Sequence, residues 1–135
     1  MEAEPKILLV DDEENILRSV EKSLFRAGFD VETAAGNVEA LQLVQEAVKE
    51  GDPFDLAVID LNMPDFNGQE SKYAGLELLE RFKREVPGMP VIANSAWDEV
   101  ETAKKCIDQG AADYFVKGRN DEMLKKIQLV LETSE

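Results

Sequence analysis

Short apolar runs alternate with longer amphipathic stretches from one end of the chain to the other, and no other feature restricts the fold as much. Residues 6–10, 29–33, 54–60, 90–94 and 113–117 read as strands. Ile7-Leu8-Leu9-Val10 and Leu56-Ala57-Val58-Ile59 are apolar without interruption, as in strands buried on both faces. Residues 15–27 carry apolar side chains at helical spacing, with Ile16, Leu17, Val20 and Leu24 on one face and Gly28 ending the segment. A second helix is expected over 38–50, with Leu41, Val44 and Val48 as its stripe and Gly51-Asp52-Pro53 as its stop. A polar loop over 62–75 precedes a third helix over 76–85, closed by Pro87 and Gly88. Asp98, with Glu101 three residues on, forms a capping-box pattern for a fourth helix that stops at Gly110. Asn120 opens a fifth, with Leu124, Ile127, Val130 and Leu131 facing inward. Strand–helix units of this kind predict an α/β domain, a parallel sheet covered by helices on both faces. A single domain over 1–135, with its core at about 6–132, accounts for the length.

Two of these strands deliver carboxylates from their C-terminal ends: Asp11 and Asp12 after the first, Asp60 at the end of the third. Ser95 follows the fourth strand and Lys117 closes the fifth. Ligands of parallel sheets bind beyond the C-terminal strand ends, so these residues are expected around one pocket. Clustered carboxylates repel one another, and a hard divalent cation, Mg²⁺, relieves that repulsion and bridges to phosphoryl oxygens. Asp60 would be the nucleophile, giving an acyl phosphate. Lys117 would neutralise the phosphoryl oxygens as a point charge and the Ser95 hydroxyl would donate to one of them. Each residue alone has an ordinary reading: Asp11 or Asp12 as a helix cap, Ser95 as a satisfied strand-end hydroxyl, Lys117 as a solvated lysine, Tyr114 as core. The combination is what points to phosphoryl transfer.

Composition narrows the alternatives. A formal charge of −14 argues against direct nucleic-acid binding. No apolar stretch approaches the about 20 residues of a membrane span, and the first residues lack the pattern of a signal peptide. The lone cysteine, Cys106, suits a reducing cytoplasm. The chain has no histidine, so histidine-based nucleophilic schemes, histidine zinc sites and a role as phosphohistidine carrier are excluded, and any phosphoryl donor must come from outside.

Val10-Asp11-Asp12-Glu13, Asp60-Leu61-Asn62-Met63-Pro64, Ser95-Ala96 and Gly110-Ala111-Ala112-Asp113-Tyr114-Phe115-Val116-Lys117 together resemble the receiver domain of bacterial two-component response regulators, chemotaxis regulators among them. The resemblance runs over nearly the whole chain. It implies a flavodoxin-like, doubly wound five-stranded sheet of order 2-1-3-4-5 with five helices. It also implies phosphorylation of Asp60 by a histidine kinase or phosphotransfer protein, with Mg²⁺ held by Asp12 directly, Asp11 through water, Asp60, and the backbone carbonyl of Asn62. Ser95 matches the switch hydroxyl, Tyr114 the switch aromatic and Lys117 the phosphoryl-contacting lysine. Such a domain catalyses its own phosphorylation and slow dephosphorylation, and it changes shape at the face of helix four, strand five and helix five. A downstream effector is implied but unnamed, and a homodimer through that face is left open.

The sequence departs from the family pattern in two places. Gly118 stands where a proline, often cis, usually follows the lysine, and a trans bond and a differently aimed loop are expected. Residues 69–75 form an apparent insertion beside Asp60, either a tolerated surface loop or a contact for the donor kinase. Trp97 has two readings as well, a shield over the acyl phosphate or a side chain packed on the fourth helix. The alternative function is a phosphorylation-independent receiver-like binding module. An aspartyl phosphohydrolase fits less well, since Glu13 stands two residues after Asp11 where an aspartate is wanted, and a flavin phosphate would be repelled by Asp11-Asp12-Glu13-Glu14.

Overall fold

The computed structural model describes residues 4–62, 74–96 and 100–133. The expectations for Met63, Pro64, Trp97 and Asp98, and for residues 69–73 of the insertion, fall outside these residues. The elements are β1 (Lys6–Val10), α1 (Glu14–Arg26), β2 (Asp30–Ala34), α2 (Asn37–Lys49), β3 (Leu56–Asp60), α3 (Ala74–Glu85), β4 (Val91–Ser95), α4 (Val100–Asp108), β5 (Asp113–Val116) and α5 (Asn120–Thr133). The strands form one sheet in the order β2-β1-β3-β4-β5. Every pairing is parallel, because each strand is followed by a helix that carries the chain back across the sheet. This is the doubly wound order the family resemblance implies. Among the described residues no helix is long and apolar enough to cross a membrane.

Alternate residues of each strand feed two separate cores. Ile7, Leu9, Leu56, Val58, Ile92 and Phe115 pack against Leu17, Val20 and Leu24 of α1 and Met123, Ile127 and Val130 of α5. Leu8, Val10, Ala57, Ile59, Val91 and Ala93 pack against α2, α3 and α4. Two-sided burial is why β1, β3 and β4 are apolar at both parities, whereas the edge strand β2 alternates. It also assigns faces. Asp11 and Asp60 continue the parity of Leu9 and Val58, so both project on the side of α1 and α5.

Several expected boundaries and faces shift. The strands expected at 29–33 and 90–94 lie one residue later, and β3 omits Phe54 and Asp55, which lead into it. Val48 was expected inward but is 50% exposed. It sits in the last turn of α2 and lines a surface cleft with Phe54, Val86 and Met89. Ala40 and Ala47 fill the helix–sheet interface with Leu41 and Val44. On α5, Met123 is fully buried, although the sequence stripe did not include it, while Leu124 and Leu131 are only partly covered.

Gly75 belongs to α3 and is buried, not part of a surface insertion. A Cβ at this position would lie 2.6 Å from the carbonyl oxygen of Asp60 and 2.7 Å from Cα of Leu61. Both neighbours are backbone, so only a shift of α3 or of the β3 end could make room. Gly75→Ala is therefore expected to destabilise the domain by about 2 kcal/mol, against the gain that alanine brings in an open helix. Urea denaturation checks this, and a midpoint equal to or above that of the native chain would show that α3 does not press on the end of β3.

Candidate functional site

All five parallel strands end at the same edge of the sheet, and polar residues collect there because the apolar runs that drive burial stop. Asp60 closes β3 with no exposed surface, and Asp11 follows β1 with 2%. Asp12 is exposed beside them. One oxygen from each of Asp11, Asp12 and Asp60 lies within 4.8 Å of the others. Lys117 follows β5, where its N–H extends the β4–β5 pairing by donating to the Ser95 carbonyl at 2.9 Å. From there its side chain reaches across β4, and Nζ donates to Asp60 Oδ2 at 2.9 Å. The same ammonium lies 3.3 Å from Asp11 Oδ2 and 3.2 Å from Glu13 Oε1.

Local turns aim the carboxylates. Asp60 Oδ1 accepts the Asn62 N–H at 2.9 Å, and Asp11 Oδ1 accepts the Glu13 N–H at 2.9 Å. The N-cap of α1 is Glu13, and it makes no side-chain capping bond. Asp11 and Asp12 are thus not used at the N-cap position of the helix, the ordinary reading of either residue alone.

Burial dominates the electrostatics. It pushes the Asp60 carboxyl up to about 6, with Asp11's charge adding, against the pull of the Lys117 and Asn62 hydrogen bonds. Asp12 is raised too, by desolvation and by Asp11. Burial also works against the charge on Lys117, but Asp60, Asp11 and Glu13 together hold it above the usual lysine range. The two partners differ for a simple reason: the lysine gathers three carboxylates, whereas Asp60 gathers one ammonium and faces other anions. Three oxygen donors with an uncompensated excess of negative charge fit a hard cation such as Mg²⁺. A carboxylate among them, stripped of most of its water, fits a nucleophile.

The predicted residues fall into three groups. Asp11, Asp12, Asp60 and Lys117 converge directly. Asn62 and Ser95 stand beside them and are bonded to each other, the Ser95 hydroxyl donating to Asn62 Oδ1 at 3.1 Å. Tyr114 stands apart, partly buried against the core that faces α2, α3 and α4. Gly118 follows Lys117 through a trans bond at φ +92. Proline cannot adopt that φ, so the glycine builds a different turn from the one a proline would make. The lysine still reaches Asp60.

Two residues at the site escaped the sequence reading. Glu13 is the third carboxylate on Lys117, and an acid directly after the aspartate pair was its only signal. Asn94 pairs in register with Asp60 and shares the parity of Ile92, so it projects on the face of Asp60. It is 6% exposed, and its Oδ1 has no hydrogen-bond partner among the described residues. Its signal was a polar residue in an otherwise apolar strand.

Comparison with known proteins identifies the family. The family model for the response regulator receiver domain matches residues 7–128. The alginate biosynthesis transcriptional regulatory protein AlgB of Pseudomonas syringae pv. tomato is 36% identical over 124 residues, covering 92% of this chain and 25% of that protein. A putative NtrX-like response regulator of Rickettsia conorii is 36% identical over 118 residues, covering 87% of this chain and 23% of that protein. The chain therefore spans about a quarter of the length of these relatives. A CheY-like response regulator receiver domain protein from Methanospirillum hungatei superposes with a TM-score of 0.80 at 32% identity, covering 97% of this chain and 96% of that one. One from Clostridium thermocellum gives 0.80 at 25% identity, covering 96% and 95%. The doubly wound sheet, the matched sequence and the acidic edge that Lys117 crosses all lead to one assignment: the chain belongs to the response regulator receiver domain family of two-component signalling.

Proposed function

We infer that this receiver domain is a switch turned on by phosphorylation of Asp60. One observation carries the reading: a fully buried carboxylate with an ammonium 2.9 Å away and an oxygen of each of two further aspartates within 4.8 Å of one of its own. The donor is a phosphohistidine of a histidine kinase or phosphotransfer protein, the partner that membership of the receiver family suggests; the chain itself has no histidine to carry the group. An Asp60 oxygen attacks phosphorus, the phosphorus–nitrogen bond breaks, and the imidazole leaves carrying the electron pair and takes up a proton. Asp11, Asp12, Asp60 and the Asn62 carbonyl would hold Mg²⁺, which supplies neutralising charge to the phosphoryl oxygens when bound. Lys117 turns from the carboxylates to a phosphoryl oxygen, and the Ser95 hydroxyl donates to another. Tyr114 moves into the space that Ser95 leaves, and the face of α4, β5 and α5 changes shape for a downstream effector. Moving such an equilibrium from mostly off to mostly on takes about 5.5 kcal/mol of preferential stabilisation, which a dianion held by lysine, hydroxyl and metal supplies.

Intact mass after incubation with acetyl phosphate and Mg²⁺ tests this. A gain of one phosphoryl group in the native chain, absent in Asp60→Asn and without metal, is the expected result. No gain from acetyl phosphate or from phosphohistidine donors would favour the phosphorylation-independent binding module.

A further inference from the structure

We propose that the side chain of Asn62 is a latch that holds the switch hydroxyl in its resting position, so that phosphorylation must break it before Ser95 can act. The proposal rests on the reading of Asp60 as phosphoacceptor and adds a restraint on that site. Asn62 Oδ1 accepts twice from the start of the β4–α4 connection: the Ser95 hydroxyl at 3.1 Å and the Ala96 N–H at 3.0 Å. The backbone N–H of the same residue donates to Asp60 Oδ1 at 2.9 Å. Asn62 thus spans the acceptor carboxylate on one side and the switch residue on the other.

The chemistry of the hydroxyl makes the contact restraining. A serine has one O–H donor. While that hydrogen points at Asn62 Oδ1 it cannot be given to a phosphoryl oxygen, so the two bonds exclude each other. The second bond, to Ala96, ties the same oxygen to the backbone that follows Ser95, so the Asn62 side chain is held by both partners at once. Asn62 also feels the state of Asp60 directly. When an Asp60 oxygen becomes part of an acyl phosphate, the carboxylate loses its negative charge and accepts the Asn62 N–H less strongly. The residue that loses its anchor on Asp60 is then the one that must release Ser95. On this view Asn62 is a positioning residue, acting through Ser95.

The test compares the native chain, Asn62→Ala, Ser95→Ala and the double variant. Alanine keeps the backbone carbonyl and N–H of position 62 and removes the carboxamide, and with it the Oδ1 acceptor. Two quantities are read: the rate of phosphorylation by acetyl phosphate with Mg²⁺, from intact mass, and hydrogen exchange of the Ala96 amide without phosphoryl donor. Loss of the latch should raise the Ala96 exchange rate about fivefold and the phosphorylation rate about three- to tenfold, the worth of one or two net hydrogen bonds. The rate increase should vanish when Ser95 is already alanine, because there is then no hydroxyl to release. Native exchange at Ala96 in Asn62→Ala would overturn the latch. So would faster exchange with an unchanged or slower phosphorylation rate, or a rate increase that survives in the Ser95→Ala background. A native chain that takes no phosphoryl group is a separate result, visible in the control. It would overturn the phosphoacceptor reading and take the latch with it.

Discussion

Asp60→Asn is expected to end phosphoryl transfer and, at pH 7 without metal, to leave the domain more stable than the native chain. The first effect follows from the missing anionic oxygen. The second follows from burial. In the folded chain the Asp60 carboxyl stands at about 6, against an ordinary value of 3.8. The folded state therefore holds a proton that the unfolded chain has released between those values. Its contribution to stability is fully present below about pH 4 and is lost as the pH rises through about 6. The gap between 3.8 and about 6 sets an upper limit of about 3 kcal/mol on the penalty at neutral pH. Asparagine escapes that penalty but gives up a charged partner for Lys117, so a gain of about 1–2 kcal/mol is expected. Thermal unfolding of both proteins from pH 4 to pH 8 checks it: the two curves should approach each other at the acid end and separate toward neutrality. Mg²⁺ should raise the native melting temperature more than that of the variant, because the cation relieves the repulsion that asparagine has already removed. A variant that melts below the native chain at pH 7 would mean that the Lys117–Asp60 bond outweighs the cost of burying the charge.

The parts of this molecule that could be read from the sequence are those set by local pattern. Apolar runs marked the strands, uninterrupted in β1 and alternating in β2, and Gly28 and Gly110 ended helices α1 and α4 where expected, each at positive φ. The carboxylates of Asp11, Asp12 and Asp60 could be grouped because parallel strands present their C-terminal ends together. What could not be read depends on distances between elements. Nothing in the spacing of Gly75 shows that α3 presses on the backbone of Asp60, so the residue looked like loop. Val48 has the azimuth of a core residue, yet it lines a surface cleft and stays half exposed. Nothing in the sequence pairs Glu13 with Lys117, because that contact depends on the reach of the lysine across β4. The bond between Asn62 and Ser95 joins residues 33 apart in sequence, and neither type announces the other.

Lys117→Met is expected to produce the opposite stability profile in metal-free protein and a much slower phosphorylation. Lys117 is the cation shared by Asp60, Asp11 and Glu13 at 2.9, 3.3 and 3.2 Å. Methionine fills similar volume without charge, so two buried carboxylates and an exposed one are left facing each other. Breaking a buried pair by removing one partner costs about 3–5 kcal/mol. Protonation can relieve part of this, because without the ammonium the Asp60 carboxyl rises further above 3.8. The deficit relative to the native chain should therefore be largest near pH 8 and shrink toward pH 5. Adding Asp60→Asn should restore most of the lost stability, a coupling that distinguishes loss of charge pairing from loss of packing. Phosphorylation from acetyl phosphate should fall by about a hundredfold or more, the usual consequence of removing one preorganised charge from a phosphoryl site. Mg²⁺ affinity should move the other way. In the resting state the ammonium occupies oxygens of Asp60 and Asp11 that a cation would also use, so its removal should let the metal bind more tightly. Weaker Mg²⁺ binding in Lys117→Met would show that the lysine organises the carboxylates for the metal and does not compete with it.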